Sequence, residues 1–155
     1  MAKSNAPHVE VMPIDRLASS QANPRKHGDR NRRAIRDSLQ QFGGARSIVI
    51  DGDGVIRAGN GTVDAAREIG ITSVVVVDPQ PGQIVAVRRK EGSDAKAAAY
   101  EIADNRSGEL AEWDQATLAP SLLAVQSEFD VGKLGFNEQE LSTIIGAVIP
   151  PSFEI

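Results

Sequence analysis

The chain alternates between two hydrophobic rhythms. His8-Val9-Glu10-Val11-Met12 has apolar residues at every second position, the period of a half-buried strand, and Pro13 ends it. Ile14-Asp15-Arg16-Leu17 then turns with two apolar side chains three apart, and Asn23-Pro24-Arg25 is extended or turning because proline disfavours an αR residue before it. From Asp29 the period lengthens. Ile35, Leu39 and Phe42 fall at i, i+4 and i+7, predicting a helix with Asp29 as N-cap and Gly43 as its stop. Ser47–Ile50 and Val55–Ala58 flank Asp51-Gly52-Asp53-Gly54, which predicts a hairpin. Gly59-Asn60-Gly61-Thr62 leads into a short helix over Val63–Ile69 ended by Gly70. The β-branched run Ser73–Val77 predicts a strand buried on both faces. After Pro79-Gln80-Pro81-Gly82 a further strand is expected over Gln83–Arg88.

The second half reads as helical. Asp94 opens an alanine-rich helix to about Asp104, interrupted by Asn105-Arg106-Ser107-Gly108. Asp114 caps another helix ending near Ser127, and a last one has Leu141, Ile144 and Ile145 on its buried face, with Pro150-Pro151 as its stop. A β-rich half (8–92) before a helical half (93–148) predicts one α+β domain over 8–148, with flexible tails at 1–7 and 149–155.

Composition narrows the chemistry. The 155 residues include no cysteine, which removes disulfides, thiolate metal sites and cysteine nucleophiles. No apolar run approaches the ~18 residues of a membrane span, so a cytoplasmic protein is expected. The net charge of −4 hides a separation. Basic residues, among them Arg16, Arg25, Lys26, Arg30, Arg32, Arg33, Arg36 and Arg46, crowd the stretch 16–46. Acidic residues dominate from Glu101 onward. One face can then attract a polyanion while the whole stays acidic, although a solvated helix surface explains the same residues.

Gly59-Asn60-Gly61-Thr62 between a strand and a helix invites an anion, because a helix start offers unpaired amides and partial positive charge. The alternative is a plain glycine turn with Thr62 as cap. The lysine and spacing of a Walker loop are absent. Arg25 and Arg106 are candidate phosphate forks, and Asp104 with Asn105 a candidate pair of oxygen ligands for a hard cation; locally, Arg106 equally suits Glu101 or Glu109. The hairpin aspartates are explained by turn chemistry. Trp113 suits a core or inter-helix anchor better than a base-stacking platform, and His8 and His27 are too few and too far apart for a zinc site or dyad; His27, beside Lys26 and Arg25, could at most touch a phosphate.

In order, Ile14–Leu17, Asn23-Pro24-Arg25, Ser38-Leu39…Phe42-Gly43, Ile48–Asp51, Gly59–Thr62 with Ala65-Ala66…Gly70, Ala103–Arg106…Trp113-Asp114 and Gly135-Phe136…Glu140-Leu141 resemble the ParB N-terminal-like ("ParB-like nuclease") domain. The branch is that of phages and integrated elements, often beside DNA methyltransferases. The resemblance implies a ParB/sulfiredoxin-like fold with a small mixed sheet and a C-terminal helical part. It also implies a nucleoside triphosphate, CTP or ATP, with Mg²⁺. Carried over, Gly59, Asn60, Gly61 and Thr62 cradle phosphates, Arg25 and Arg106 contact them, and Asp104 and Asn105 lie near the metal and are the candidate catalytic residues. Arg30, Arg32, Arg33 and Arg36 on the basic stretch 25–36 face DNA. Asn60 and Thr62 stand where relatives carry Glu, His or Arg, which lowers the positive charge at the turn. Sulfiredoxins need a cysteine there, and free-serine kinases a glutamate near the first loop; this chain has neither, and the helix-turn-helix of full ParB is missing.

The implied function is a nucleotide-binding, DNA-associated accessory or regulatory protein of a phage or mobile element. A metal-dependent nuclease or NTPase and a non-catalytic adaptor are the alternatives. Partners would be nucleotide, DNA, a DNA methyltransferase or other phage protein, and a second copy in a homodimer, with no membrane.

Overall fold

A computed structural model of the chain describes residues 6–44, 46–89 and 92–147. Among these, no helix is long and apolar enough to cross a membrane. Helices and small sheets mix in an α+β arrangement that divides into two compact units. The first holds the described residues up to Ser20 together with His27–Leu110, and the second holds Gln21–Lys26 with the described residues from Ala111 on. The long alanine-rich helix thus groups with the strands before it.

In the first unit β1 (His8–Pro13) leads into a 3₁₀ turn at Ile14–Arg16 and a two-residue strand β2 (Ala18–Ser19). β4 (Val49–Ile50) and β5 (Val55–Ala58) form the expected hairpin. Its turn is held by Asp51, whose carboxylate accepts from the Asp53 amide at 3.0 Å and the Val55 amide at 2.9 Å. The Val55 amide, then the Arg57 guanidinium, hold the Asp51 carboxyl below its ordinary range. β5 is central, with β2 parallel on one side and β4 antiparallel on the other. Ile56 at its middle has no exposed surface and packs with Ile14, Leu17, Ile35, Leu39, Val63, Ala65 and Ala66.

Two helices cover that core. α1 (Asp29–Phe42) buries Ile35 and Leu39 as its stripe requires, while α2 (Asn60–Glu68) buries Val63, Ala65 and Ala66. Gly28 is the N-cap of α1 and Asp29 is its first helical residue, placing a carboxylate where the helix dipole favours it without a capping bond. α2 starts at Asn60, so Thr62 sits inside the first turn and does not cap it. Arg67 of α2 donates to the carbonyls of Ile14 (3.1 Å) and Leu17 (2.7 Å), the first of which also accepts the Leu17 amide of the 3₁₀ turn.

Three expectations for the middle of the chain are corrected. β6 (Ser73–Asp78) pairs only with β1, antiparallel, in a two-stranded sheet of its own. One side packs Met12 and Val74 on the core, and Val9, Val11 and Val75 stay exposed on the other. A dense valine run specifies a strand but not how many faces are covered. Gln83–Arg88 joins no strand and is exposed throughout. α3 (Asp94–Glu109) runs past the expected break, because the Ser107 hydroxyl donates to the Asp104 carbonyl at 2.8 Å and stays compatible with the helix.

The second unit pairs β3 (Arg25–Lys26) with β7 (Glu112–Trp113) and carries α4 (Gln115–Val125) and α5 (Glu138–Gly146). Leu118, Ala119 and Leu122 are the buried residues of α4. Asp114 is its N-cap residue, but it spends its carboxylate on Lys26 (2.9 Å) and the Thr117 hydroxyl (2.7 Å); those bonds lower its pKa. Asn137 and Glu140 form a reciprocal capping box on α5, whose Leu141, Ile144 and Ile145 are partly buried. The proline pair at 150–151 and both tails beyond residues 6–147 lie outside the described residues.

Candidate functional site

Position 31 belongs to the apolar stripe of α1, one turn before Ile35, yet it is asparagine and almost fully buried. Its side chain is consumed on both ends. Asn31 Nδ2 donates to the Ser107 carbonyl of α3 at 2.7 Å, and Oδ1 accepts from His27 Nδ1 at 2.6 Å. The first bond orients the amide, so the second needs the proton on Nδ1 of the His27 ring. That ring lies against Gly61: a Cβ there would meet ring atoms at 3.0 Å.

The glycines of the Gly59–Thr62 turn therefore have structural causes. Gly59 adopts φ 94°, and a Cβ on it would approach Ile48 Cγ2 to 2.6 Å. Gly61 makes room for His27. The Asn60 side chain is turned inward and accepts from the Ser20 amide at 3.3 Å. The amides of Thr62 and Val63 both donate to the Gly59 carbonyl, at 3.0 and 3.1 Å. Of the donors expected at the helix start, those of Asn60 and Gly61 lack that partner.

Beside this turn lies a groove within the first unit, lined by Ile35, Ser38, Leu39 and Gly43 of α1 and its end, Arg46, Thr62 of α2, and Tyr100, Asp104 and Ser107 of α3. The groove is shallow and open to solvent, and its enclosed space is about 20 Å³, room for roughly one water molecule. One wall is apolar and the other polar. Arg46 Nε is 3.2 Å from Asp104 Oδ1, and Nη1 donates to the Ser107 hydroxyl at 3.4 Å. A guanidinium has five donors, so about three remain for a ligand. The Arg46–Asp104 pair is roughly half exposed and so is weakly held.

The sequence-derived site residues fall into separate groups. Thr62 and Asp104 line the groove, with Gly59, Asn60 and Gly61 in the turn beside it. Asn105 follows Asp104 on α3 and is exposed; successive helical residues diverge by about 100°, so the two do not form one chelating pair. Arg106 is turned to Glu109, 2.5 Å away, and is not a lining residue. Arg25 belongs to the second unit, where its guanidinium stacks 4.5 Å from the centre of the Trp113 ring. Trp113 also packs on Phe136, ring centres 5.6 Å apart, but it is 43% exposed on β7 and does not sit between helices, contrary to the core or inter-helix anchor expected. Arg30, Arg32 and Arg33 are exposed on α1 away from its buried stripe and make no ion pair among the described residues, while Arg36 is half-buried with Asp37 at 3.7 Å.

Sequence reasoning missed Arg46 as a site residue, together with Tyr100, Ser107 and the Asn31–His27 relay. The signal for Asn31 was present, as a polar residue inside an apolar stripe. Arg46 carried none, since Gly43-Gly44 precede it and no periodicity frames it. A hard cation has one carboxylate here, Asp104, and no cluster of three His, Asp or Glu side chains occurs among the described residues. That donor set suits Mg²⁺ arriving with phosphates, which uses few protein ligands. In comparisons with known proteins, no family model and no curated protein matches the chain.

Proposed function

We propose that the chain is a ParB-like binding module that holds a phosphate-bearing nucleotide in the groove of its first unit and associates with DNA through α1. One observation carries the reading: Thr62 at the glycine turn and Asp104 and Ser107 on α3, distant in sequence, line one groove with Arg46. Phosphates would take the free donors of Arg46, the Thr62 hydroxyl and the helix-start amides. Mg²⁺ carried by the nucleotide would be held by Asp104 and would supply charge neutralisation for the phosphates. Tyr100, Ile35 and Leu39 offer the apolar wall. Among the described residues, no observation favours a nuclease or NTPase over binding.

The test is a thermal-shift panel of ATP, CTP, GTP and ADP with Mg²⁺. A binding nucleotide at a hundredfold excess over Kd adds about 2.7 kcal/mol, a rise of several degrees in Tm. Arg46→Ala removes the rise and leaves the apo Tm within a degree or two, because its exposed ion pair contributes little. Arg106→Ala keeps the rise. A flat response of the wild type to every nucleotide overturns the reading. Gly61→Asp is a poor probe, since a Cβ there comes within 3.0 Å of the His27 ring, which must shift to admit it.

DNA association is expected to be electrostatic and insensitive to sequence. Arg30, Arg32 and Arg33 together, changed to alanine, reduce the slope of log K against log salt by about 2 to 3, roughly 0.9 for each phosphate no longer neutralised. Fluorescence anisotropy of a labelled duplex between low and physiological salt measures it. An unchanged slope removes α1 as the DNA face.

A further inference from the structure

The sheet of β1 and β6 and the segment after it are each incomplete. β1 and β6 have no third strand among the described residues, so both outer edges of the pair are open. Their exposed side carries Val9, Val11 and Val75, with Val9 opposite Val77 and Val11 opposite Val75. After the four residues 79–82 that follow β6 comes Gln83-Ile84-Val85-Ala86-Val87-Arg88, with the composition of a strand and no strand partner, in which Ile84 is 93% exposed. Open edges and exposed aliphatic strands are liabilities that native chains cover.

The segment is held away from its own sheet at both ends. The Gln83 amide donates to the Gln80 carbonyl at 3.0 Å, closing the turn after β6. At the far end Arg89 donates to the Phe42 carbonyl at 2.9 Å and stacks 4.4 Å from the centre of the Tyr100 ring. The stretch between these anchors lies exposed to solvent.

We infer that Gln83–Arg88 of one copy adds as a third strand to an open edge of the β1–β6 sheet of a second copy, making a reciprocal two-fold dimer. Side-chain alternation specifies the facing. With Val85 and Val87 on the side of Val9, Val11 and Val75, Arg88 comes with Ile84 and Ala86 to the other side, which carries His8, Glu10 and Asp78 towards one end and the apolar Met12 and Val74 towards the other. The opposite facing would set Arg88 among valines and Val85 and Val87 beside the carboxylates. Apolar and charged matches are thus met together by one arrangement, and Arg88 has no ion pair within its own chain among the described residues. Backbone pairing supplies adhesion, as in other strand additions, and a chain carrying both donor and acceptor closes into a symmetric pair. The inference is independent of the nucleotide groove.

Sedimentation or light scattering over rising protein concentration tests it, with three samples besides the wild type. Val85→Lys with Val87→Lys spoils the donor, and Val11→Lys with Val75→Lys spoils the acceptor; all four positions are exposed, and circular dichroism checks that each variant folds. The wild type is expected to double its mass as concentration rises, each variant to stay monomeric, and their equimolar mixture to recover dimer through its one intact interface. A wild type monomeric to millimolar concentration, a dimer insensitive to either pair of substitutions, or a mixture that stays monomeric overturns the inference.

Discussion

Gly59→Val is expected to leave little folded protein at 37 °C. Gly59 joins β5 to α2 at φ 94°, a conformation that costs a side-chain-bearing residue about 1–2 kcal/mol and a β-branched one more. Space is also lacking, since a Cβ would lie 2.6 Å from Ile48 Cγ2 and 3.1 Å from Ile48 Cβ. Forcing atoms into such packing adds about 1–3 kcal/mol. The sum reaches a large share of the roughly 5–15 kcal/mol that holds a domain together. Gly70 separates the two causes, because its φ of 82° is similar and nothing lies within 4 Å of its Cβ position. Urea denaturation should therefore find Gly59→Ala about 1–3 kcal/mol less stable than Gly70→Ala. Equal losses would mean that Ile48 yields.

Asn31→Ala is expected to destabilise by about 2–4 kcal/mol, a Tm loss of many degrees. Asn31 is 1% exposed and closes the bonds of the Ser107 carbonyl and His27 Nδ1. Its removal leaves a buried acceptor and a partly buried ring nitrogen without their partner, each costing about 1–3 kcal/mol. Asn31→Leu restores volume on the apolar stripe but neither bond, so it should recover at most part of the loss. Full recovery by leucine would show that the position is packing alone. Because Asn31 ties α1 to α3 and steadies the ring against Gly61, either variant should also weaken nucleotide binding although position 31 does not line the groove.

Local pattern carried most elements. The stripe Ile35–Leu39–Phe42 and the turn Asp51–Gly54 were legible because each depends on neighbours in sequence. The limits of α3 were not, because the low helix propensity of Asn105, Ser107 and Gly108 is a weak preference that tertiary context overrides, and Ser107 bonds back to Asp104. Nor was the open side of β6, since valine density reports strand propensity and not the number of layers packed on it. At the site, Gly59–Thr62 was legible as a feature but carried two explanations. The structure supplies the packing one, through Ile48 and His27, and leaves the amides of Asn60 and Gly61 as its remaining donors. Asp104 was legible as a candidate, whereas its partner Arg46 was not, because their pairing is made by the fold and by no local rule.

The central claim is that a nucleotide's phosphates sit in the groove between Thr62 and Arg46. Titration of ¹⁵N-labelled protein with the Mg²⁺ complex of the nucleotide that stabilises it most, followed by amide and guanidinium resonances, tests this directly. The account predicts saturable shifts concentrated on Asn60, Gly61, Thr62 and the Arg46 side chain, and their loss in Arg46→Ala. Shifts confined to the second unit, or to exposed Arg30–Arg33 with those residues unmoved, would contradict it.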